Sequence, residues 1–180
     1  MPHPPPDDNR RDFFKKTSAI VAGGILAAAP PLAGVPMILD PLRRKSDAGA
    51  FVRVAALAAL PNDGVPRKFA VLADRRDAWN KFPRTPVGAV YLRRTPEGRI
   101  EALNVVCPHA GCFIDFLAAK PGYFCPCHNS AFALDGSIAD AKSPSARGMD
   151  SLEVEVRNET EIWVRYQNFE AGKKEKIPLA

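Results

Sequence analysis

Two short stretches, Cys107-Pro-His-Ala-Gly-Cys112 and Cys125-Pro-Cys-His-Asn-Ser130, decide how this chain is read. All four cysteines of the 180-residue chain and two of its three histidines, His109 and His128, fall inside them. Soft thiolate and imidazole donors crowded into so few residues point to a metal or redox site. His3, far upstream, is a bystander. The rest of the composition is ordinary. With 46% hydrophobic and 25% charged residues, wholesale disorder and collagen-like repeats are excluded. The net charge of +5 comes without a Lys/Arg stripe interleaved with aromatics, so no nucleic-acid partner is expected.

Around the two stretches the pattern is that of strands. Phe69-Ala-Val-Leu72, Val90-Tyr-Leu92 and Leu103-Asn-Val-Val106 are β-prone runs bounded by turn signals such as Pro61-Asn-Asp-Gly64 and Thr95-Pro-Glu-Gly98. Leu152, Val154 and Val156 alternate with charged residues. So do Ile162, Val164 and Tyr166 across a turn near Asn158. No long amphipathic helix is expected beyond residue 50. The fold class is therefore mainly β: a small sandwich or barrel over residues 51–180, with an inserted site-bearing part at about 105–148.

The N-terminal part differs. Residues 1–16 read as a disordered, proline-rich leader that ends in Arg10-Arg-Asp-Phe-Phe-Lys-Lys16. Thr17 to Leu39 carries no charge, which predicts a retained single membrane anchor kinked by Pro30, Pro31 and Pro36. Asp40 to Ala50 reads as a hinge. Paired arginines before Phe-Phe-Lys resemble a twin-arginine export signal. Export would leave the β-domain on the non-cytoplasmic side of a bacterial cytoplasmic membrane.

Three chemistries fit the Cys/His stretches. Two structural disulfides would use the cysteines but leave the accompanying histidines unexplained. A structural zinc site of a binding module would use both residue types, yet Cys-x-His and Cys-x-x-His differ from the usual zinc-finger spacing. A 2Fe-2S centre in which two histidines replace two cysteines on one iron accounts for the shared layout of both loops. Cys107 and Cys125 would then hold one iron, and His109 and His128 the other.

Cys-x-His-x-Gly-Cys followed by Cys-Pro-Cys-His-x-Ser resembles the Rieske iron–sulfur proteins of cytochrome bc and bf quinol oxidases. The resemblance implies one 2Fe-2S cluster and a Cys112–Cys127 disulfide joining the loops. It implies a cytochrome b-type subunit, a c-type cytochrome acceptor and a quinol as partners at the membrane. The subunit would act in an enzyme, taking an electron from quinol and a proton through the cluster histidines. Ser130 matches the family serine that bonds a cluster sulfide. Phe132 stands where high-potential members carry tyrosine, so a lowered potential and a quinol such as menaquinol are expected. Pro144 falls in the place of the family's cover loop, while Ala110 replaces a bulkier residue expected at the docking tip. A rival in another enzyme class is the small Rieske subunit of an exported molybdenum oxidase such as arsenite oxidase, where phenylalanine at the Phe132 position is frequent.

Overall fold

A computed structural model describes residues 8–43, 49–76 and 80–179. Within the first helix the side chains of 8–9, 29–33 and 40–43 fall outside the described ones, as does that of Arg76. The chain divides into two units, residues 1–45 and 46–180.

The first unit is one helix, α1, Asp8–Arg43. Residues 8–16 are therefore helical, not unstructured, and the first four residues of the expected hinge, 40–43, extend the same helix. The reason is local. The arginines and lysines of residues 10–16 are good helix formers. Residues 1–7 of the leader and 44–48 of the hinge lie outside the described residues. Among the described residues no helix is long and apolar enough to cross a membrane.

The second unit is built from strands, with a single 3-10 turn at Leu57–Ala59 as the helical element among its described residues. β1 (Phe51–Ala56), β9 (Val154–Arg157) and β10 (Glu161–Arg165) form one antiparallel sheet in the order β1-β10-β9. β2 (Arg67–Arg76), β3 (Lys81–Arg94), β4 (Ile100–Asn104) and β8 (Ser151–Leu152) form a second sheet in that order. A third contains β5 (Asp115–Leu117), β6 (Gly122–Cys125) and β7 (Ser130–Phe132).

The period of two along a strand explains how these layers share a wall. Val90 and Leu92 of β3 and Ala102 of β4 face a core completed by Val71, Ile162 and Val164. Their neighbours Tyr91 and Leu103 point the other way, into a second core with Val105, Ile114, Tyr123 and Phe132. The middle of the second sheet is thus buried on both faces. Each fully buried Leu, Ile or Val contributes roughly 1.5–3 kcal/mol, so the wall is held from both sides.

Alternation was legible at β10, where Ile162 and Val164 are buried and Tyr166 packs against the same core. The 152–156 run divides. Leu152 pairs with Ala102 in the second sheet, whereas Val154 pairs with Val164 in the first. The strand changes sheets at Glu153, whose carbonyl accepts from Arg165 N at 2.9 Å. Val156, expected inside, is exposed because β9 is an edge strand there.

Candidate metal centre

Both Cys/His stretches are the tips of hairpin-like loops rising from the second core. The first follows β4. Its base is closed by a bridge between Val106 and Phe113 and by Ile114 N donating to Val105 O at 2.9 Å. Inside it, Cys107 N donates to Cys112 O (2.7 Å) and Gly111 N to Cys107 O (2.9 Å). Gly111 has φ +79°, a left-handed turn that admits glycine without strain. The second tip joins β6 to β7. Cys125 pairs with Ser130 at its base, and Asn129 takes φ +61° to close the intervening turn.

This scaffolding sorts the side chains by depth. Cys107 and Cys125 are buried in the second core. Cys112 is half-buried and Cys127 exposed. His109 is half-buried, His128 is exposed, and their rings lie 4.7 Å apart at 87°. Burial pushes the Cys125 thiol up, with the hydrogen-bonded Cys107 thiol adding to the effect. Hydrogen bonding to Cys112 is the largest cause of a rise at Cys127. Cys127 neighbours Cys125 as well as Cys112, so the thiols form one cluster. The Sγ atoms of Cys112, Cys125 and Cys127 all fall within 4.8 Å of one another. One pair of buried thiols and one pair of imidazoles nearer the surface suit a group that needs two thiolates and two neutral nitrogens.

A further observation bears on the fit. The Ser130 side chain is fully buried, and its hydroxyl has no hydrogen-bond partner among the described residues. A buried donor left unmade costs about 1–3 kcal/mol, so a hydroxyl beside Cys125 calls for an acceptor that protein atoms do not supply. A sulfide of a bound iron–sulfur cluster would meet that need. Phe132 is buried with apolar neighbours and brings no donor. Pro144 is exposed on a third loop, which Ser143 N closes onto Asp140 O at 2.8 Å.

Residues 51–158 match the family model of the Rieske 2Fe-2S domain. The chain belongs to that family. A Rieske protein of this kind carries one 2Fe-2S cluster, and the donor set above fits it. The chain is 30% identical over 122 residues to the menaquinol:cytochrome c reductase iron–sulfur subunit of Geobacillus thermodenitrificans, covering 66% of this chain and 69% of the relative. It is 34% identical over 67 residues to the chloroplastic cytochrome b6-f complex iron–sulfur subunit of Volvox carteri, covering 36% of this chain and 32% of that one. Among solved structures, the cyanobacterial plasma membrane Rieske protein of Synechocystis PCC 6803 is similar at 25% identity and a TM-score of 0.43, over 63% of this chain and 97% of that one.

Three residues that support this Rieske site were not apparent from the Cys/His motifs. Asn104, only 1% exposed, accepts from Val106 N (3.0 Å) at the root of the first loop. Its amide donates to Gln167 O (2.9 Å) and Asn168 Oδ1 (3.0 Å). Tyr91 donates to Ile114 O (3.1 Å) and accepts from Phe116 N (3.0 Å), pinning the third sheet to the second. Burial pushes its phenol up, which keeps the donor protonated. Arg147 forms a two-pronged ion pair with Asp150 beneath the Pro144 loop. A buried asparagine inside the apolar run 103–106 was the one available signal.

Proposed function

We propose that this chain is the membrane-anchored electron-transfer subunit of a menaquinol:cytochrome c reductase. Cys107 and Cys125 hold one iron as thiolates, and His109 and His128 hold the other through neutral imidazole nitrogen. Cys112 and Cys127 form a disulfide that ties the two loops. When bound, the cluster supplies a one-electron relay at a potential raised by its two neutral ligands. His128 and His109 are the polar groups nearest solvent in the set, which supports their role toward quinol. Each imidazole keeps a second nitrogen that accepts a hydrogen bond from a quinol hydroxyl and then its proton. Ser130 is the residue whose hydroxyl would donate to a cluster sulfide, a bond that raises the potential. Phe132 withholds a second such bond, in keeping with a low-potential quinol. Pro144 covers the cluster from the third loop.

The observation that carries this reading is the partnerless buried hydroxyl of Ser130 beside Cys125 at the base of the second loop, with the His109 and His128 rings brought together nearer the surface. The Geobacillus relative supports the choice of complex. A cytochrome b-type subunit and a c-type cytochrome are the expected partners. The uncharged run Thr17–Leu39, with Ile20, Ile25, Leu26 and Ile38 all exposed, supports attachment to the membrane through this part of α1. The twin arginines support export of the Rieske domain to the non-cytoplasmic side. Membranes solubilised in mild detergent provide the test. Co-purification of b- and c-type cytochromes supports the assignment, and a large molybdopterin subunit in their place overturns it.

A further inference from the structure

The segment after β10 crosses the cluster end of the domain and is tied down along its length. Asn104 holds it at Gln167 and Asn168. Leu179 N donates to Asn168 O and Glu170 N to Ile177 O, each at 2.9 Å, while Phe169 bridges to Pro178. These bonds fold residues 168–179 back on themselves. The turn between them carries Gly172, whose N–H donates to Pro108 O at 2.8 Å. Pro108 stands between Cys107 and His109.

The other fixed point is Arg147. Its Nε and Nη2 donate to the two Asp150 carboxylate oxygens, both at 2.9 Å. Its Nη1 donates to Lys173 O at 2.7 Å, and Nη2 also reaches Glu170 O at 2.9 Å. The two side chains are only 10% and 7% exposed. Desolvating such a pair costs more than an apolar pair of the same volume, so stability alone does not account for it. What it supplies is direction. A guanidinium is a rigid planar fork, and this one grips the carbonyls on both sides of the Gly172 turn while Asp150 fixes its own plane.

We infer that Arg147 is a positioning residue for the His109 loop, acting through residues 167–179 as a strap that couples the Pro144 loop to Cys107–Cys112. The inference rests on His109 being a cluster ligand. Pro144 lies three residues before Arg147, so the strap links two of the three loops around the cluster by polar bonds of defined geometry. Released, the first loop keeps its ligands but loses the bond at Pro108 that restrains the backbone beside His109.

The test uses the full chain loaded with its cluster and three variants. Arg147→Met with Asp150→Leu removes both charges together and leaves no buried carboxylate unpaired. Gly172→Ala leaves the ion pair intact but places a β-carbon on a backbone with φ +72°. Arg147→Lys keeps the charge and loses the fork. Hydrogen bonds from a charged donor are worth about 1.5–3 kcal/mol, so amide exchange over 168–179 should quicken by roughly 10- to 100-fold in the double variant. Arg147→Lys should give a smaller increase. In the EPR of the reduced cluster, the double variant and Gly172→Ala should broaden the signal in the same way and alter one of the imidazole nitrogen couplings. Wild-type spectra from both would overturn the strap's role, even if exchange quickened. A wild-type chain that binds a cluster without imidazole nitrogen overturns the ligand reading, and the strap's role with it.

Discussion

The second sheet separates two cores of about equal size but unlike chemistry. On one face Val71, Val90, Leu92, Ile162 and Val164 form a wholly apolar layer. On the other, Leu103, Val105 and Ile114 share space with two thiols, two phenols and, at the adjoining β6–β7 tip, a hydroxyl without a partner. The first core repays its burial by itself. The second carries polar groups whose cost is met only by specific bonds: Tyr91 to Ile114 and Phe116, and, on the reading above, Ser130 to a sulfide. The lesson is a division of labour across a single sheet. One face provides stability that any well-fitting apolar side chain could give, and the other gathers the thiols and polar groups that the proposed cluster would use.

That contrast can be broken most completely at the thiols. Cys107→Ser should abolish the cluster's visible absorbance and reduced-state EPR while far-UV circular dichroism keeps its β character. A retained cluster signal would remove Cys107 from the ligand set. The next largest effect belongs to the apolar face. Leu92→Ala should cost about 2–5 kcal/mol in denaturant unfolding and leave the cluster spectrum of the folded protein unchanged. A shifted spectrum would mean that the two faces are coupled.

Tuning of the cluster comes third. A hydrogen bond of about 0.5–1.5 kcal/mol corresponds to roughly 20–65 mV for one electron. Ser130→Ala should lower the midpoint potential by that order, and Phe132→Tyr should raise it. Redox titration reads both, and an unmoved Phe132→Tyr midpoint would show that no cysteine sulfur is within the new hydroxyl's reach.

The smallest effect lies outside both cores. Arg67 donates two bonds to Asp63, at 2.7 and 2.9 Å, and holds its carboxyl at about 2 instead of 3.8. A folded-state value below the unfolded one adds stability above about pH 4 that is lost as pH falls toward 2. Asp63→Asn should therefore be slightly less stable than wild type at neutral pH, with the gap closing through that window. Because the pair is exposed, added salt should narrow it too. Thermal melts at several pH values measure this.

Much of this arrangement was legible beforehand, for identifiable reasons. The Cys/His tips are read from spacing because ligand chemistry demands particular residue types. Ile162 and Val164 are read from alternation because one face of β10 is solvated. The 152–156 run looked like one strand because its alternation is real, but a change of sheet at Glu153 leaves no mark in hydrophobicity. The helical start at Asp8 was hidden by the proline-rich residues before it. β3 begins at Lys81 and runs through Pro83, Pro86 and Gly88, well ahead of the Val90-Tyr-Leu92 run. The ribbon accommodates them with register shifts and with Asp74 accepting from Arg84 N at 3.0 Å. The Arg147 strap could not be read at all, since its bonds join carbonyls to a side chain more than twenty residues away.

Two histidines and two cysteines from these tips are proposed to hold one iron–sulfur cluster. Pulsed EPR of the reduced protein, grown with nitrogen-15 histidine, tests it directly. Labelled hyperfine couplings from two imidazole nitrogens are expected, disrupted in both His109→Ala and His128→Ala. A colourless, zinc-bearing protein, or a cluster showing no histidine nitrogen, would contradict it.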